Sequence, residues 1–303
     1  MSNRQKYPAP TPQSGAKSVK PQASPKASPP ALPLRHPSEM PMYVFMVVLN
    51  AGIVLFLLQL AAAPWLYSGW LLNDTVEDVS AAISGVLLLL VPGLVVVRQI
   101  QRASIAGTAV QLSESQFPDL RSSGEDFARR LGVPKPPQVY LANGNGTLNA
   151  FAAQSGVDSN YVVLSNELFA NLHQNNREGL RFILGHEMAH IRLHHVALWY
   201  QLSICFSQWF PILGPTLSRL REYSCDRNGA ALEPHGERGL VLLAAGRYAH
   251  DSVTVPELVQ QGKDLGGFWV EFSQLTRSHP WTVRRLWRLH QLGLFGQQKA
   301  PRK

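Results

Sequence analysis

The sequence predicts an α+β, mostly helical protein in which a two-helix transmembrane hairpin precedes a domain with a small β-sheet. Three observations lead to this fold class. Two long apolar runs without charge occur early in the chain. Short β-type runs separated by Gly, Asn and Asp follow them, and much of the remaining sequence carries apolar residues at helical spacing.

Residues 1–40 are predicted to be a disordered, basic, Pro-rich tail. They are rich in Pro, Ser, Ala, Gln and Lys, and Glu39 is their single acid. Such a composition buries too little apolar surface to offset the entropy lost on folding. Docking of a partner protein to PxxP segments of the tail is a second interpretation of the same composition.

Residues 42–63 and 79–97 are each predicted to span a membrane, since a span needs about 20 mainly apolar residues. The connector at 64–78 holds acids but no Lys or Arg, whereas both outer flanks are basic. The positive-inside rule therefore predicts a hairpin at 41–98 with both termini and the following domain in the cytoplasm. The chain is accordingly predicted to be an integral protein of a cell membrane.

The chain is basic, with 28 Lys and Arg residues against 20 Asp and Glu residues. A nucleic-acid-binding tail would need aromatic residues for base stacking, and Tyr7 is the only aromatic residue in 1–40. Because apolar runs follow the basic tail directly, membrane lipid is the predicted partner and nucleic acid is not. Cys205 and Cys225 are too few for a disulfide framework.

A folded domain is predicted at 99–295, followed by a basic tail at 296–303. Strands are predicted at 138–142, 148–154 and 161–165, and polar helix at 99–135. Residues 166–195 are predicted to be helical. In that stretch the residues that recur at near-helical spacing are Leu180, Ile183, Leu184, Met188 and Ile191.

His186, Glu187 and His190 form an HExxH motif inside the helical stretch. Positions i and i+4 lie on one helix face, so both imidazoles can reach one metal ion while Glu187 handles a water molecule beside them. A catalytic zinc ion needs three protein ligands and one open position. His194 continues the spacing, but a surface or supporting role is expected for it, because two His and one Glu complete such a site.

The third ligand is expected from a second predicted helix at 217–232. Glu222 and Asp226 share a face there, so Glu222 can bind the metal while Asp226 accepts the free N–H of a ligand histidine. The alternative is an ordinary solvated pair of acids on a charged helix.

These motifs are similar in kind and order to those of metallopeptidase family 48, the HtpX-type and CAAX-prenyl-protease-type membrane gluzincins. They are HEMAH at 186–190, REYSCD at 221–226, Ser278-His279-Pro280 with Arg285, and Asn149-Ala150-Phe151-Ala152 before a Val-rich strand. The resemblance covers about residues 110–295. The chain departs from the family pattern at Ser224 and Cys225, where an acid and an alanine are more usual, and neither position supplies a ligand.

The resemblance implies a gluzincin-type zinc peptidase domain that holds one Zn²⁺ ion per chain. It implies that the metal ligands are His186, His190 and Glu222, that Glu187 is the general base and that His279 stabilises the oxyanion. It further implies that Asp226 orients a ligand histidine and that Arg285 braces the acidic helix. The edge strand that pairs with substrate is implied to contain Asn149, Ala150, Phe151 and Ala152.

A third apolar stretch, residues 196–213, is not predicted to cross the membrane. A single crossing would separate His190 from Glu222 by about 27 Å at 1.5 Å per residue, although both are expected to touch one ion. An interfacial segment and a core helix are the two remaining interpretations, and Trp199 and Trp209 suit interfacial depth.

The predicted function is that of a membrane-anchored zinc metalloendopeptidase acting on membrane or membrane-proximal proteins or peptides. A non-catalytic zinc-bound membrane scaffold is the alternative. Glu187 is the discriminating residue, because a purely structural zinc site needs no general base and usually fills its fourth position with a protein ligand.

Overall fold

The computed structural model of the chain describes residues 34–62, 74–156 and 159–296. The helices are α1 Glu39–Ala61, α2 Asp74–Thr108, α3 Pro118–Leu131, α4 Asn166–Leu172, α5 Arg177–Arg192, α6 Leu198–Leu202, α7 Leu213–Leu232, α8 Glu237–Ala245, α9 Val255–Asp264, α10 Phe268–Gln274 and α11 Thr282–Gln291, with short 3₁₀ helices at Ser207–Trp209 and His250–Ser252. The strands are β1 Val110–Gln111, β2 Gln138–Ala142, β3 Ala150–Gln154 and β4 Asn160–Ser165. The mostly helical α+β class is therefore confirmed.

Helices α1 and α2 are the two helices of the described residues that are long and apolar enough to cross a membrane. Their apolar windows have mean hydropathies of 2.4 and 2.5, and most of their side chains are exposed on the protein. Ser80 Oγ of α2 donates to the carbonyl oxygen of Ala61 at 2.8 Å, which places the start of α2 beside the end of α1. The connector residues 63–73 lie outside the described residues.

The predicted domain boundary at residue 98 falls inside α2, which continues without a break to Thr108. The helical prediction for 99–135 is correct for the end of α2 and for α3, but β1 and a turn separate the two. Helix α3 begins with Pro118 and ends at Leu131, and it is capped by Gly132, whose φ of +70° suits a glycine. The anchor and the following domain are therefore joined by a continuous helix.

The sheet has the strand order β1-β2-β4-β3. Strand β2 pairs in parallel with β4, whereas β3 pairs antiparallel with β4 and β1 pairs antiparallel with β2. The three predicted strands occur close to their predicted bounds. Strand β3 lies at an edge, so one side of its backbone has no partner strand among the described residues.

Helix α5 lies at the centre of the main hydrophobic core and packs against α7. The five apolar residues predicted at helical spacing on α5 are all buried, as an amphipathic helix requires. The two helices approach closely where Gly229 of α7 lies against α5. A Cβ atom at Gly229 would lie 3.1 Å from the carbonyl oxygen of Phe182 and 3.2 Å from the amide nitrogen of His186. This close approach brings the motifs of the two helices together.

The segment just before α1 is folded against α7, so the prediction of disorder is wrong for residues 34–40. Asn228 exchanges hydrogen bonds with the backbone of Leu34, at 2.9 Å and 2.8 Å. The amide of His36 donates to Ser224 Oγ at 2.8 Å. Composition predicted disorder here because the polar groups that dock this segment are on a helix almost 190 residues away. Residues 1–33, like the predicted tail at 297–303, lie outside the described residues.

Residues 196–213 form α6, a 3₁₀ helix and irregular turns, so they do not make one long helix. They pack along α1, with the ring of Tyr43 stacked on that of Tyr200 at 4.4 Å. Asn50 of α1 accepts hydrogen bonds from the amides of Phe206 at 2.9 Å and Ser207 at 3.3 Å. The segment thus follows the apolar anchor helix, and Trp209 is 82% exposed at its far end.

Candidate metal centre

Helix α5 carries the HExxH motif on its buried side. His186 and Glu187 are both buried, and the ring centroids of His186 and His190 are 5.1 Å apart. This is the one-face arrangement that the four-residue spacing predicts. The helix ends at Arg192, earlier than the predicted 195, and His194 follows with φ +66°. His194 therefore leaves the face of His186 and His190, and it is exposed.

Helix α7 brings Glu222 to the same point. Glu222 Oε2 is 3.5 Å from His186 Nε2, and Glu222 Oε1 is 3.5 Å from His190 Nε2. One ligand atom from each of the three residues lies within 4.8 Å of the others. Glu222 is 6% exposed and Asp226 is 1% exposed, so the alternative of a solvated surface pair does not fit these two acids.

His186 is hydrogen-bonded to Asp226, which is in turn paired with Arg285. Asp226 Oδ1 lies 2.9 Å from His186 Nδ1, and the guanidinium of Arg285 donates to both oxygens of Asp226 at 2.8 Å and 2.6 Å. Burial opposes the ionised form of Asp226, but the charges and hydrogen bonds of Arg285 and His186 together outweigh it and lower the pKa of Asp226. Burial likewise opposes a charged His186, but its hydrogen bonds to the carboxylates of Asp226 and Glu222, together with their negative charges, prevail and raise the pKa of His186 to about 10.

His190, the second histidine of the motif, is held by hydrogen bonds through a different set of residues. His190 Nδ1 lies 3.1 Å from His195 Nδ1, and His195 Nε2 lies 3.1 Å from Glu39 Oε1. Glu39 is the first residue of α1 and is fully buried, with Arg35 and Ser224 as further partners. Sequence reasoning missed this set, although a single acid directly before an apolar run was visible in the sequence.

His279 reaches the site from the turn before α11. Its Nδ1 lies 3.3 Å from Glu222 Oε2, while the side chain is 69% exposed. The carboxylate of Glu222 raises the pKa of His279. The structure therefore places all the side chains predicted for metal binding, proton transfer and oxyanion stabilisation around one point.

A cavity of about 270 Å³ opens beside these groups. Its polar wall includes Glu187, Glu222 and His279, and its apolar wall is lined by Leu148, Leu168, Phe182, Ile183 and Leu243. Asn149 and Ala150 also line it, whereas Phe151 and Ala152 continue along β3 beyond the lining. The cavity therefore combines polar groups of the candidate metal centre with an apolar lining.

A second group of possible ligands shares His190. It consists of His190, His195 and Cys225, whose ligand atoms also lie within 4.8 Å of one another. Burial raises the pKa of the Cys225 thiol well above its usual value, and a protonated thiol is a poor metal ligand. The set of His186, His190 and Glu222 therefore suits a divalent metal ion better.

The sequence model of peptidase family M48 matches residues 114–207 of the chain, a region that includes the HExxH motif. A protease HtpX homolog from Pyrococcus abyssi is 24% identical over 230 residues, which are 60% of this chain and 76% of that protein. Protease HtpX homologs from Pediococcus pentosaceus and Streptococcus uberis are 32% and 27% identical, over 30% and 45% of this chain and 28% and 43% of their own lengths. The chain therefore resembles peptidase family M48 over residues 114–207, and the relatives that it matches are HtpX-type proteases.

Proposed function

We propose that the chain is a membrane-anchored zinc endopeptidase that hydrolyses peptide bonds of membrane or membrane-proximal proteins and peptides. One observation carries the proposal. Two imidazoles and a carboxylate from two helices converge on one point, with Glu187 and an open cavity beside it. A structural zinc site would instead be closed by a fourth protein ligand.

The donor set fits one Zn²⁺ ion per chain. Two histidines and one glutamate form a ligand set used by catalytic zinc, and the hydrogen bond that His186 Nδ1 donates to Asp226 fixes the ring with Nε2 directed toward Glu222. When bound, zinc would lower the pKa of a water molecule and polarise the scissile carbonyl group.

The side chains around the cavity supply the remaining chemistry. Glu187 would take a proton from the attacking water onto its carboxylate and pass it to the leaving amine. His279, at the exposed rim, would donate a hydrogen bond to the developing oxyanion. The apolar wall around Leu243 and Phe182 would accept one apolar side chain of the substrate, because burial of such a side chain is favourable.

Strand β3 is positioned to bind the substrate backbone. Ser165 N donates to Asn149 O, and the register of β3 and β4 alternates between paired and free backbone positions. Ala150 and Ala152 therefore direct their N–H and C=O groups toward the free edge. An extended peptide that added to this edge would be held mainly through main-chain hydrogen bonds, beside the cavity.

A membrane-proximal substrate is supported by the position of residues 203–212. The contact between Ala61 of α1 and Ser80 of α2 joins the two helices at one end of the hairpin. Tyr43 lies 18 residues before Ala61 and Arg98 lies 18 residues after Ser80. The two residues therefore lie at a similar distance along the hairpin from that contact. Asn50 lies about 10 Å further along α1 at 1.5 Å per residue, and it holds the turn at Phe206 and Ser207. Irregular backbone at such depth needs protein partners, which Asn50 supplies. We propose that this turn inserts into the cytoplasmic leaflet.

Insertion of the turn predicts that lipids with brominated acyl chains quench Trp209. In proteoliposomes of the full chain, Trp209→Phe is expected to lower the quenchable share of tryptophan fluorescence. Trp269→Phe is the control, because Trp269 is also exposed, at 75%, but lies on α10. A quenchable share in Trp209→Phe equal to that of the wild type would place the turn outside the bilayer.

The zinc-bound scaffold is the alternative of a different class, with the Pro-rich tail as a docking segment for partner proteins. Such a scaffold would bind zinc equally well, but it would assign no function to the cavity, to Glu187 or to the free edge of β3. The proposed cytoplasmic position of the domain and both termini is supported by the basic flanks of the hairpin.

Removal of the metal tests the proposed function. The purified chain in detergent is expected to contain one zinc ion and to cleave casein or itself. A chelator is expected to reduce cleavage to background, and zinc but not magnesium should restore it, because Mg²⁺ prefers oxygen ligands. Cleavage that resists chelation would exclude the zinc mechanism, whereas zinc-loaded chain that cleaves neither substrate would favour the scaffold.

A further inference from the structure

We propose that Glu39, the first residue of the anchor helix α1, is a positioning residue for the metal ligand His190 and acts through His195. The inference rests on the proposed zinc site and adds residues to it. It means that the metal site is completed by the membrane anchor, since α1 supplies a side chain without which His190 has no fixed orientation.

The hydrogen bonds assign one consistent arrangement of protons along this path. A carboxylate only accepts, so His195 donates from Nε2 to Glu39 Oε1, at 3.1 Å. A neutral His195 then accepts at Nδ1, where it faces His190 Nδ1 at 3.1 Å. His190 therefore carries its proton on Nδ1, and its Nε2 presents a lone pair toward Glu222. This is the tautomer that a metal ligand needs.

The two ligand histidines are thus held in the same manner by unrelated parts of the chain. His186 Nδ1 bonds Asp226, which is paired with Arg285. His190 Nδ1 is hydrogen-bonded to His195, His195 is hydrogen-bonded to Glu39, and Glu39 forms a salt bridge with Arg35. Each path ends in a carboxylate neutralised by an arginine, and outer partners of this kind orient metal-bound histidines.

The burial of Glu39 supports a role beyond docking of the anchor. A fully buried carboxylate is costly unless it is paired and hydrogen-bonded, and Glu39 has partners on both oxygens: His195 and Arg35 on Oε1, and Ser224 on Oε2. The contacts of Asn228 with Leu34 already hold the preceding segment on α7. The free-energy cost of burying a carboxylate at this position is therefore not explained by docking of the segment alone.

The chain offers a matched control in Ser224. Ser224→Ala removes the contact on Glu39 Oε2 and the acceptor for the amide of His36, but it leaves the bond from His195 to Glu39 in place. If Glu39 only docks the anchor, Ser224→Ala and Glu39→Ala should act alike on every property. If Glu39 orients His190, only Glu39→Ala should weaken zinc binding strongly.

The test is a double-mutant cycle on zinc affinity, measured for the full chain in detergent by competition with a chromogenic chelator. Glu39→Ala and His195→Phe are each expected to weaken zinc binding roughly 10–100-fold, the usual effect of losing an outer partner of a ligand histidine. His195→Phe keeps a buried ring while it removes the hydrogen bonds to His190 and Glu39, together with the contact of Nδ1 with Cys225 Sγ at 3.6 Å. Glu39→Ala is expected to add little in the His195→Phe background, because its effect passes through His195.

Additive losses, or an equal loss in Ser224→Ala, would overturn the positioning role. If Glu39→Ala does not fold, Glu39→Gln takes its place in the cycle. The amide oxygen of the glutamine still accepts a hydrogen bond from His195, so zinc affinity should fall less than in His195→Phe. A fall in zinc affinity equal to or larger than that in His195→Phe would overturn the proposal. Wild type that binds no zinc would overturn the proposed function together with this inference. Wild type that binds zinc and cleaves casein, with zinc affinity unchanged in Glu39→Ala and His195→Phe, would overturn this inference alone.

Discussion

Glu187→Gln is expected to lower kcat/KM for casein cleavage by roughly 10²–10⁴-fold while zinc stays bound, because general acid–base catalysis contributes about that factor. The substitution conserves the size of the side chain and removes only its ability to take a proton. His186, His190 and Glu222 keep their positions, so the zinc content should remain at one ion per chain. Cleavage rates and metal content of the same preparation provide the measurement.

Glu178→Gln is the matched control for this prediction. Glu178 is an acid in the first turn of α5, exposed and away from the cavity, so its loss should leave cleavage within about twofold, as is usual for surface substitutions. Retention of wild-type cleavage by Glu187→Gln would mean that another group acts as the base. Loss of zinc in the same variant would mean that Glu187 supports the ligands themselves.

Arg285→Met is expected to destabilise the protein by about 3–5 kcal/mol, the usual cost of removing one partner of a buried ion pair. It leaves the buried carboxylate of Asp226 without the guanidinium that pairs with both its oxygens, next to Glu222. The thermal unfolding midpoint of metal-free protein should fall on the order of 10 °C. The loss should be smaller with zinc bound, because the ion supplies positive charge close to the same acids.

Arg284→Met is the control for this second prediction. Arg284 is the neighbouring residue on α11 and is buried to a similar extent, but its partner Glu271 is 60% exposed. Water can solvate Glu271 after the substitution, so the midpoint should fall much less. Equal losses in the two variants would show that α11 depends on the packing of its arginine side chains and not on neutralisation of the buried acids.

Local patterns predicted the parts of the fold that local physics determines. The spacing of Leu180, Leu184 and Met188 identified the buried face of α5, because side chains three and four residues apart share a helix face. Charge-free runs identified both anchor helices by length alone. The strand predictions at 138–142 and 161–165 succeeded because β-branched and aromatic residues there are bounded by turn residues.

The prediction for residues 34–40 failed for a physical reason. Composition describes what a segment can bury by itself, whereas this segment is held by Ser224 and Asn228 on a distant helix. The relation between Glu39 and His195 was equally hidden, since 156 residues separate them. No pattern of period 2 or 3.6 reports a contact of that kind.

The sequence by itself determined the identity and spacing of the groups that can bind a metal, because the HExxH motif and the pair of Glu222 and Asp226 each lie within one helical turn. Only the tertiary structure decided how the two helices meet, through the close approach at Gly229. It also decided that β3 has a free edge and that the anchor helix contributes Glu39 to the site. These arrangements depend on packing between residues far apart in the chain, which side-chain periodicity does not encode.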